Sequence, residues 1–395
     1  MTPDAAPARA AYGRSTMLLS APRHVVCVGG GPAALEGALA LQRLAGDRVR
    51  ITLLAPGDVF EYRPTSVAEP FGLAAPQRFS LSGLAGERGF ALVRGAVARV
   101  AAHERSLELA GGASLDYDAC LLALGARAEE AVPGALIFGG PRDVPRLRAA
   151  LRRLHAGEPL RVAFVASPEA PWTLPLYELA LLTARWADEH GLAVEPWLVT
   201  HEARALGVFG EQASTAVTEL LEEAGVRLWT GAFAEAVEDG RLWLSLEGGL
   251  PVDLAIALPK PVGRGMPGLP TDAAGFTPVD ALGRVAGVAD VYAAGDMTTR
   301  PLKQGGLATQ QADAAASAIA AWAGAPVAAE PYRPVLRGLL LTGGTPRYLR
   351  RDSGAHDSMA LDDAAWWPPH KIAGRELAPY LALHPELREP APLAA

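Results

Sequence analysis

Cysteine is nearly absent from this chain. Cys27 and Cys120 are its only two, and they form no CxxC and share no Cys/His spacing. That excludes a disulfide framework or a structural zinc site. Both fall in short apolar runs that read as strands, where a thiol behaves as a small hydrophobe and not as a redox group. The low count fits a reducing cytoplasm, the expected location. No apolar run approaches the ~20 residues that a membrane-spanning helix needs. In Met1–Arg23, rich in Ala and Pro, the only apolar stretch is Met17-Leu18-Leu19. A signal peptide needs at least ~7 apolar residues in a row, so residues 1–23 read as a loose tail. Basic excess is lacking too: 36 Lys and Arg face 43 Asp and Glu, for a net charge of −7. Nucleic acid is therefore not an expected partner, because phosphate binding wants a basic surface. The eight histidines show no metal spacing, neither HExxH nor GxSxG occurs, and no metal is expected. His356, among Asp352, Ser353, Asp357 and Ser358, reads as part of a solvated loop.

What is present is the pattern of an α/β protein. Half the residues are hydrophobic and a fifth are charged, enough for a large core in a chain of 395; the length suggests two to three domains. Val25-Val26-Cys27-Val28 reads as a strand, residues 33–44 as an Ala-rich helix, and Arg48–Leu54 as a second strand, a βαβ opening. Further β structure is predicted over Phe90–Val100, Tyr117–Leu124 and Gly287–Ala294, with a helix from Gly306 to Trp322. A second α/β unit starts at Arg161–Ala166, continues through a helix over Leu174–Glu189, and reaches a strand at Val194–Val199. A last helix is predicted near Lys371–Ala382.

Gly29, Gly31 and Ala34 occupy the three positions of G-x-G-x-x-G/A, between a strand and a helix. Gly29 permits the tight turn, Gly31 lets backbone approach a pyrophosphate, and Ala34 allows close helix–strand packing. Pro32 and Ala33 open the helix, whose N-terminus presents free N–H groups to phosphate. An acid is expected at the end of the second strand to hold ribose hydroxyls; Ala55 stands there instead. Asp58 is a substitute from the loop, and backbone contacts alone are the other reading. Two more strand ends follow, Ala123-Leu124-Gly125 and Ala294-Gly295-Asp296. Asp296 is placed to accept hydrogen bonds from a polyol, or else to cap a turn.

These three motifs, in this order, resemble the FAD-dependent pyridine nucleotide-disulfide oxidoreductase superfamily. The similar branch is that of type II NADH dehydrogenases, sulfide:quinone reductases and flavocytochrome c sulfide dehydrogenases. Gly268-Leu269-Pro270, Gly275-Phe276, Val279-Asp280 and Gly283-Arg284-Val285 add to the likeness, which spans roughly residues 24–322. The resemblance implies two Rossmann-like dinucleotide-binding domains and a small C-terminal segment. Residues 24–130 and 256–325 would form an FAD domain, interrupted by an NAD(P)-like domain at 131–255 and followed by a segment at 326–395. It implies a cofactor site of Gly29, Gly31, Pro32, Ala33, Ala34, Arg63, Val97, Gly125, Gly295, Asp296, Lys303, Gln304 and Ala308. Adenine would lie near Val97, and the flavin near Glu61–Pro64 and Lys303–Gln311. The N-terminus of the last of these helices places a positive dipole end near the flavin, which favours its anionic reduced form.

The second glycine loop of nicotinamide-using members is missing. Its place is taken by Ser167-Pro168-Glu169-Ala170-Pro171-Trp172-Thr173, where Pro and Trp fill space that a close phosphate approach needs. NAD(P)H is thus doubtful as a donor. Trp172, Tyr177 and Glu178 are candidates for a rebuilt donor pocket; otherwise Trp172 fills vacated space and Glu178 caps or faces solvent. Trp366-Trp367-Pro368-Pro369-His370-Lys371 either walls a flavin or quinone pocket or packs the C-terminal segment onto the FAD domain. The expected function is an FAD-dependent oxidoreductase that passes electrons through flavin without redox cysteines, to a quinone or a small redox protein. Two alternatives stand: a flavin-bound interaction protein with little turnover, and an NAD(P)H reductase with an atypical loop. Peripheral membrane contact and a homodimer are compatible with the apolar residues of the closing helix.

Overall fold

The computed structural model describes residues 21–153, 160–246, 248–352, 354 and 358–389. The expected tail lies outside the described residues up to residue 20, as do Ser353, His356 and Asp357. Five parallel strands form the first sheet: β1 (Arg23–Val28), β2 (Val49–Ala55), β3 (Ala91–Arg94), β4 (Ala119–Leu122) and, from much later in the chain, β10 (Val291–Ala293). Their order is β10-β4-β1-β2-β3. A second parallel sheet repeats the plan with β5 (Leu136–Ile137), β6 (Leu160–Ala166), β7 (Val194–Thr200), β8 (Arg227–Trp229) and β9 (Leu254–Ala257), in the order β5-β9-β6-β7-β8. In both, the first long strand has neighbours reached from opposite directions, so a crevice opens beyond its C-terminal end. These crevices lie at Gly29 and Ser167. The chain crosses between the sheets through an antiparallel ribbon that pairs Arg127–Glu129 with Lys260–Val262.

Helix α1 (Pro32–Ala45) follows β1, α2 (Leu81–Arg88) precedes β3, and α3 (Val144–Arg152) follows β5. Helix α4 (Leu174–Glu189) follows β6, and α5 (Glu211–Glu223) precedes β8. Helix α6 (Gly305–Trp322) follows β10. Alanine dominates the buried faces of α1 and α6, and its short side chain lets the two helices lie close on the first sheet.

The C-terminal segment forms an antiparallel sheet of β11 (Val335–Leu340), β12 (Arg347–Asp352) and β13 (Ser358–Leu361), then the short helix α7 (Leu377–Leu383). Its parts go to different cores. Leu336, Leu340 and Leu349 join the core of the second sheet, with Leu174 and Phe209. Leu377, Tyr380 and Leu381 join the core of the first, with α1. The segment therefore ties both sheets together. Glu36, fully buried in α1, holds α7 in place by accepting the backbone N–H groups of Glu376 and Leu377, both at 2.8 Å.

Several predicted boundaries move. The strand expected over Phe90–Val100 breaks at Gly95, where the chain leaves the first sheet and Val97–Ala101 opens a separate antiparallel sheet. The strand expected from Gly287 is confined to Val291–Ala293, because Gly287 and Asp290 take positive φ of 71° and 57°. The last helix starts at Leu377 and not near Lys371, since residues 371–376 form an irregular connection. Among the described residues no helix is long and apolar enough to cross a membrane.

Removing the Glu36 carboxylate leaves two buried N–H groups unpaired, at a cost of about 1–3 kcal/mol. Glu36→Ala is expected to lower the urea midpoint of unfolding accordingly; an unchanged midpoint would show that α7 does not depend on this cap.

Candidate cofactor and donor site

The first crevice is shaped by the backbone. Gly29 has φ +129°, and a Cβ there would lie 2.4 Å from the carbonyl oxygen of Ala123, so no other residue fits. Its N–H donates to Leu54 O at 2.8 Å, which locks the turn to the end of β2. Gly31 caps α1 with no side-chain hydrogen bond, and a Cβ on it would meet nothing within 4 Å. Pro32 has no N–H, so the unpaired donors of the first turn are those of Ala33 and Ala34, facing that open space. Gly295 lies between Ala33 and Ala308, which brings the N-termini of α1 and α6 together. Gly125 follows β4 with φ +66°, and its neighbour Leu124 donates to Met297 Sδ at 3.4 Å. Val97 is half-buried at the start of the adjoining antiparallel sheet, packed against the core that holds Leu54 and Val100.

Asp296 is half-buried in the turn after β10 and accepts no hydrogen bond from the described residues. Burial raises its pKa, while Lys303 and Arg63 pull it back down. Lys303 donates to Thr298 O and sits 3.8 Å from the ring centroid of Phe276. Burial lowers its pKa to about 8, with Asp296 opposing the shift. Gln304 caps α6 by accepting from Leu307 N at 2.7 Å and donates to Arg337 O at 3.1 Å. A half-buried carboxylate that accepts no hydrogen bond from the described residues, the uncapped N-terminus of α1 and a cleared glycine turn fit the polyol and pyrophosphate of a dinucleotide. Asp58 does not add to this: Ser82 and Arg94 take up its carboxylate, at 2.8–2.9 Å.

A cavity of about 300 Å³ runs from Arg63, Asp296 and Lys303 across to Trp172 and Lys260. Trp172 lines it, with its ring edge against Phe209 at 5.8 Å. Tyr177 does not: it is fully buried, donating to Glu202 at 2.8 Å and accepting from Leu206 N at 3.1 Å. Glu178 neither faces solvent nor caps its helix. It is wholly buried, and its two carboxylate oxygens accept from Lys371 Nζ at 2.6 and 2.5 Å. Glu178 also accepts from Leu341 N at 2.9 Å, and Lys371 donates to Pro64 O at 3.0 Å. Burial raises Glu178 and lowers Lys371, and each offsets the other's shift.

Lys371 lines the cavity, so the Trp366–Lys371 stretch contributes a wall. Trp366 itself packs on Tyr348 with ring centroids 4.9 Å apart, and Trp367 is 70% exposed. The C-terminal segment also packs at the start of α4. A Cβ on Gly338 of β11 would lie 2.7 Å from Leu174 and 2.6 Å from Phe209, so the strand is seated directly on the N-terminus of α4. Both cysteines are buried in the first sheet; burial pushes Cys27 up to about 12 and Cys120 up as well.

Sequence reasoning missed Lys371 as a site residue, because 193 positions separate it from Glu178. It also missed Phe138, Arg127 and Lys260 in the cavity wall. The fold further gathers Glu87, His384 and Glu386 into an exposed hydrogen-bonded cluster, with ligand atoms within 4.8 Å of one another, which no local spacing announces.

Residues 178–318 match the family model described as pyridine nucleotide-disulphide oxidoreductase. Over those residues the chain is similar to the pyridine nucleotide-disulphide oxidoreductase family. Members of that family generally bind FAD. No curated protein matches the chain in sequence. Its fold is similar to that of a sulfide:quinone oxidoreductase from Aquifex aeolicus, at TM-score 0.76 and 18% identity over 86% of both chains. A ferredoxin reductase from Rhodopseudomonas palustris aligns at TM-score 0.64 and 19% identity, over 83% of this chain and 81% of that one. NDH2 from Plasmodium falciparum aligns at 0.66 and 12%, over 86% and 91%.

Truncating one partner of a buried ion pair strands the other charge, at about 3–5 kcal/mol. Lys371→Ala is expected to lose stability on that scale in denaturant titration. Lys371→Met combined with Glu178→Leu should regain most of it; a double variant as unstable as the single one would contradict the pairing.

Proposed function

We propose that this chain is an FAD-dependent oxidoreductase of the pyridine nucleotide-disulfide oxidoreductase superfamily whose electron donor is not NAD(P)H. Residues 24–130 and 256–325 carry the cofactor, 131–255 form the inserted domain, and 326–395 close over it. Bound FAD would supply the redox chemistry itself, accepting and releasing electrons. The chain's residues hold and orient it: Gly29–Ala34 at the pyrophosphate, Asp296 at the polyol, and Arg63 and Lys303 beside the flavin with the N-terminus of α6. Those cations and the helix end favour negative charge on that side of the site.

One observation carries the donor claim. Strand β11 rests on the N-terminus of α4, at the end of the helix where a dinucleotide would need an open glycine turn. Gly338 packs on the Leu174 and Phe209 side chains there, and Pro171 and Trp172 stand in the turn itself, where they line the cavity. The buried cysteines leave flavin as the route for electrons, and the cavity wall at Trp172, Lys260 and Arg127 is where a donor meets it. The acceptor is a quinone or a small redox protein. The similarity to a sulfide:quinone oxidoreductase and to a ferredoxin reductase supports either.

Two outcomes are expected. Protein purified with FAD, mixed anaerobically with NADH or NADPH, should keep its flavin absorbance band; rapid bleaching by either would overturn the donor claim. Asp296→Asn removes charge from a half-buried acceptor, and hydrogen bonds to charged groups contribute about 1.5–3 kcal/mol. FAD dissociation should therefore strengthen at least ~10-fold, read by fluorescence release on dilution; unchanged retention would remove Asp296 from the site.

A further inference from the structure

A second cavity, of about 700 Å³, lies on the other side of β11 and of the 366–375 connection. The partition is one residue thick in places. Lys371 and Ile372 line the first cavity, while Ala373, Gly374 and Arg375 line the second. Gly338 and Leu339 face the first, and Val335 and Arg337 the second. The cavity reaches Arg43 in the last turn of α1, at the end away from Gly31.

Its chemistry is cationic. Arg43, Arg333, Arg337 and Arg375 line it, against Asp313 and Glu330. Arg43 is taken up by Glu376, but Arg333, Arg337 and Arg375 form no ion pair with the described residues. Arg337 Nε and Asp313 Oδ1, on two residues of the lining, are buried and have no hydrogen-bond partner among the described residues. Orphans of this kind are uncommon in folded proteins and call for an explanation. Tyr332, Trp366 and Trp367 provide flat apolar sides. A lipophilic ligand would leave the guanidinium groups unpaired, so the lining selects for an anion.

We propose that this cavity binds a small polyanion bearing carboxylate or phosphate groups, held by Arg337 and Arg375 with Arg333 at the mouth. Asp313 then acts as a donor and not as a repelling charge. Its carboxyl is pushed up to about 8 by burial and by Glu36, with Glu376 adding to the shift and Arg375 and Arg43 opposing it. Below that pH the group is protonated and can donate; above it, ionisation places a negative charge against the ligand. Binding is therefore strongest near neutrality and weakens as pH rises through about 8. Because the partition is shared, occupancy also braces the connection that delivers Lys371 to Glu178.

The test is calorimetric titration of the full FAD-loaded protein with inorganic pyrophosphate and, separately, citrate, with chloride at matched ionic strength as the control. Saturable binding of either anion is expected, and which one binds tells phosphate from carboxylate chemistry. Arg337→Gln and Arg375→Gln should each weaken it at least ~10-fold, the loss of one charge-assisted hydrogen bond. Arg375 is exposed, so its variant keeps the fold if the other does not. Citrate affinity should fall between pH 7 and pH 9 for the unaltered chain and stay level for Asp313→Asn. Absence of saturable binding by both anions overturns the site, as does binding that both arginine variants leave intact; equal pH dependence in Asp313→Asn overturns the role of that residue.

Discussion

The arrangement of this protein hangs on one buried ion pair. Lys371 and Glu178 come from segments far apart in the chain, and neither is tolerable in the interior alone. Desolvating a single charge costs several kcal/mol even after relaxation. Together, with Pro64 O and Leu341 N satisfying the remaining valences, they hold three pieces at one point: the inserted α/β unit, the loop beside Arg63, and the C-terminal segment. The pair adds little net stability over an apolar contact of the same volume. What it does is join the 366–376 connection to α4 and to the loop at Pro64.

That junction has two consequences. It sets Gly338 of β11 on the side chain of Leu174, the first residue of α4, so the second of two similar α/β units is packed against the C-terminal segment. It also turns the chain toward α1, where Glu36 captures the N–H groups that open α7. A segment of modest length thus contributes to both cores and to the wall between two cavities. The glycine turn of the first unit remains clear, with the N-termini of α1 and α6 brought together beside an acid that accepts no hydrogen bond from the described residues.

Much of this was legible in the sequence. Gly29, Gly125 and Gly295 each follow a strand with a positive φ that few residues adopt, so local pattern locates them. The two α/β units, the parallel order and the long helices α4 and α6 follow from apolar period and length. The rest depended on contacts that no local pattern encodes. Glu178 looked like an ordinary helix residue until Lys371 met it. Asp58 looked available until Ser82 and Arg94 proved to hold it. The predicted helix from Lys371 has good local propensity, yet its first turn is given up to the ion pair and to the Tyr62 hydroxyl, which accepts from Ile372 N at 2.8 Å. Tertiary pairing outweighed propensity there, as the small differences between residues allow.

The central claim is that the segment anchored by Lys371 closes the nucleotide end of α4. Calorimetric titration of the FAD-loaded protein with oxidised NAD tests it without involving electron transfer. The account predicts no saturable heat for the unaltered chain. Saturable binding at micromolar NAD, competed by ADP-ribose, would show that the end of α4 is open and would contradict it.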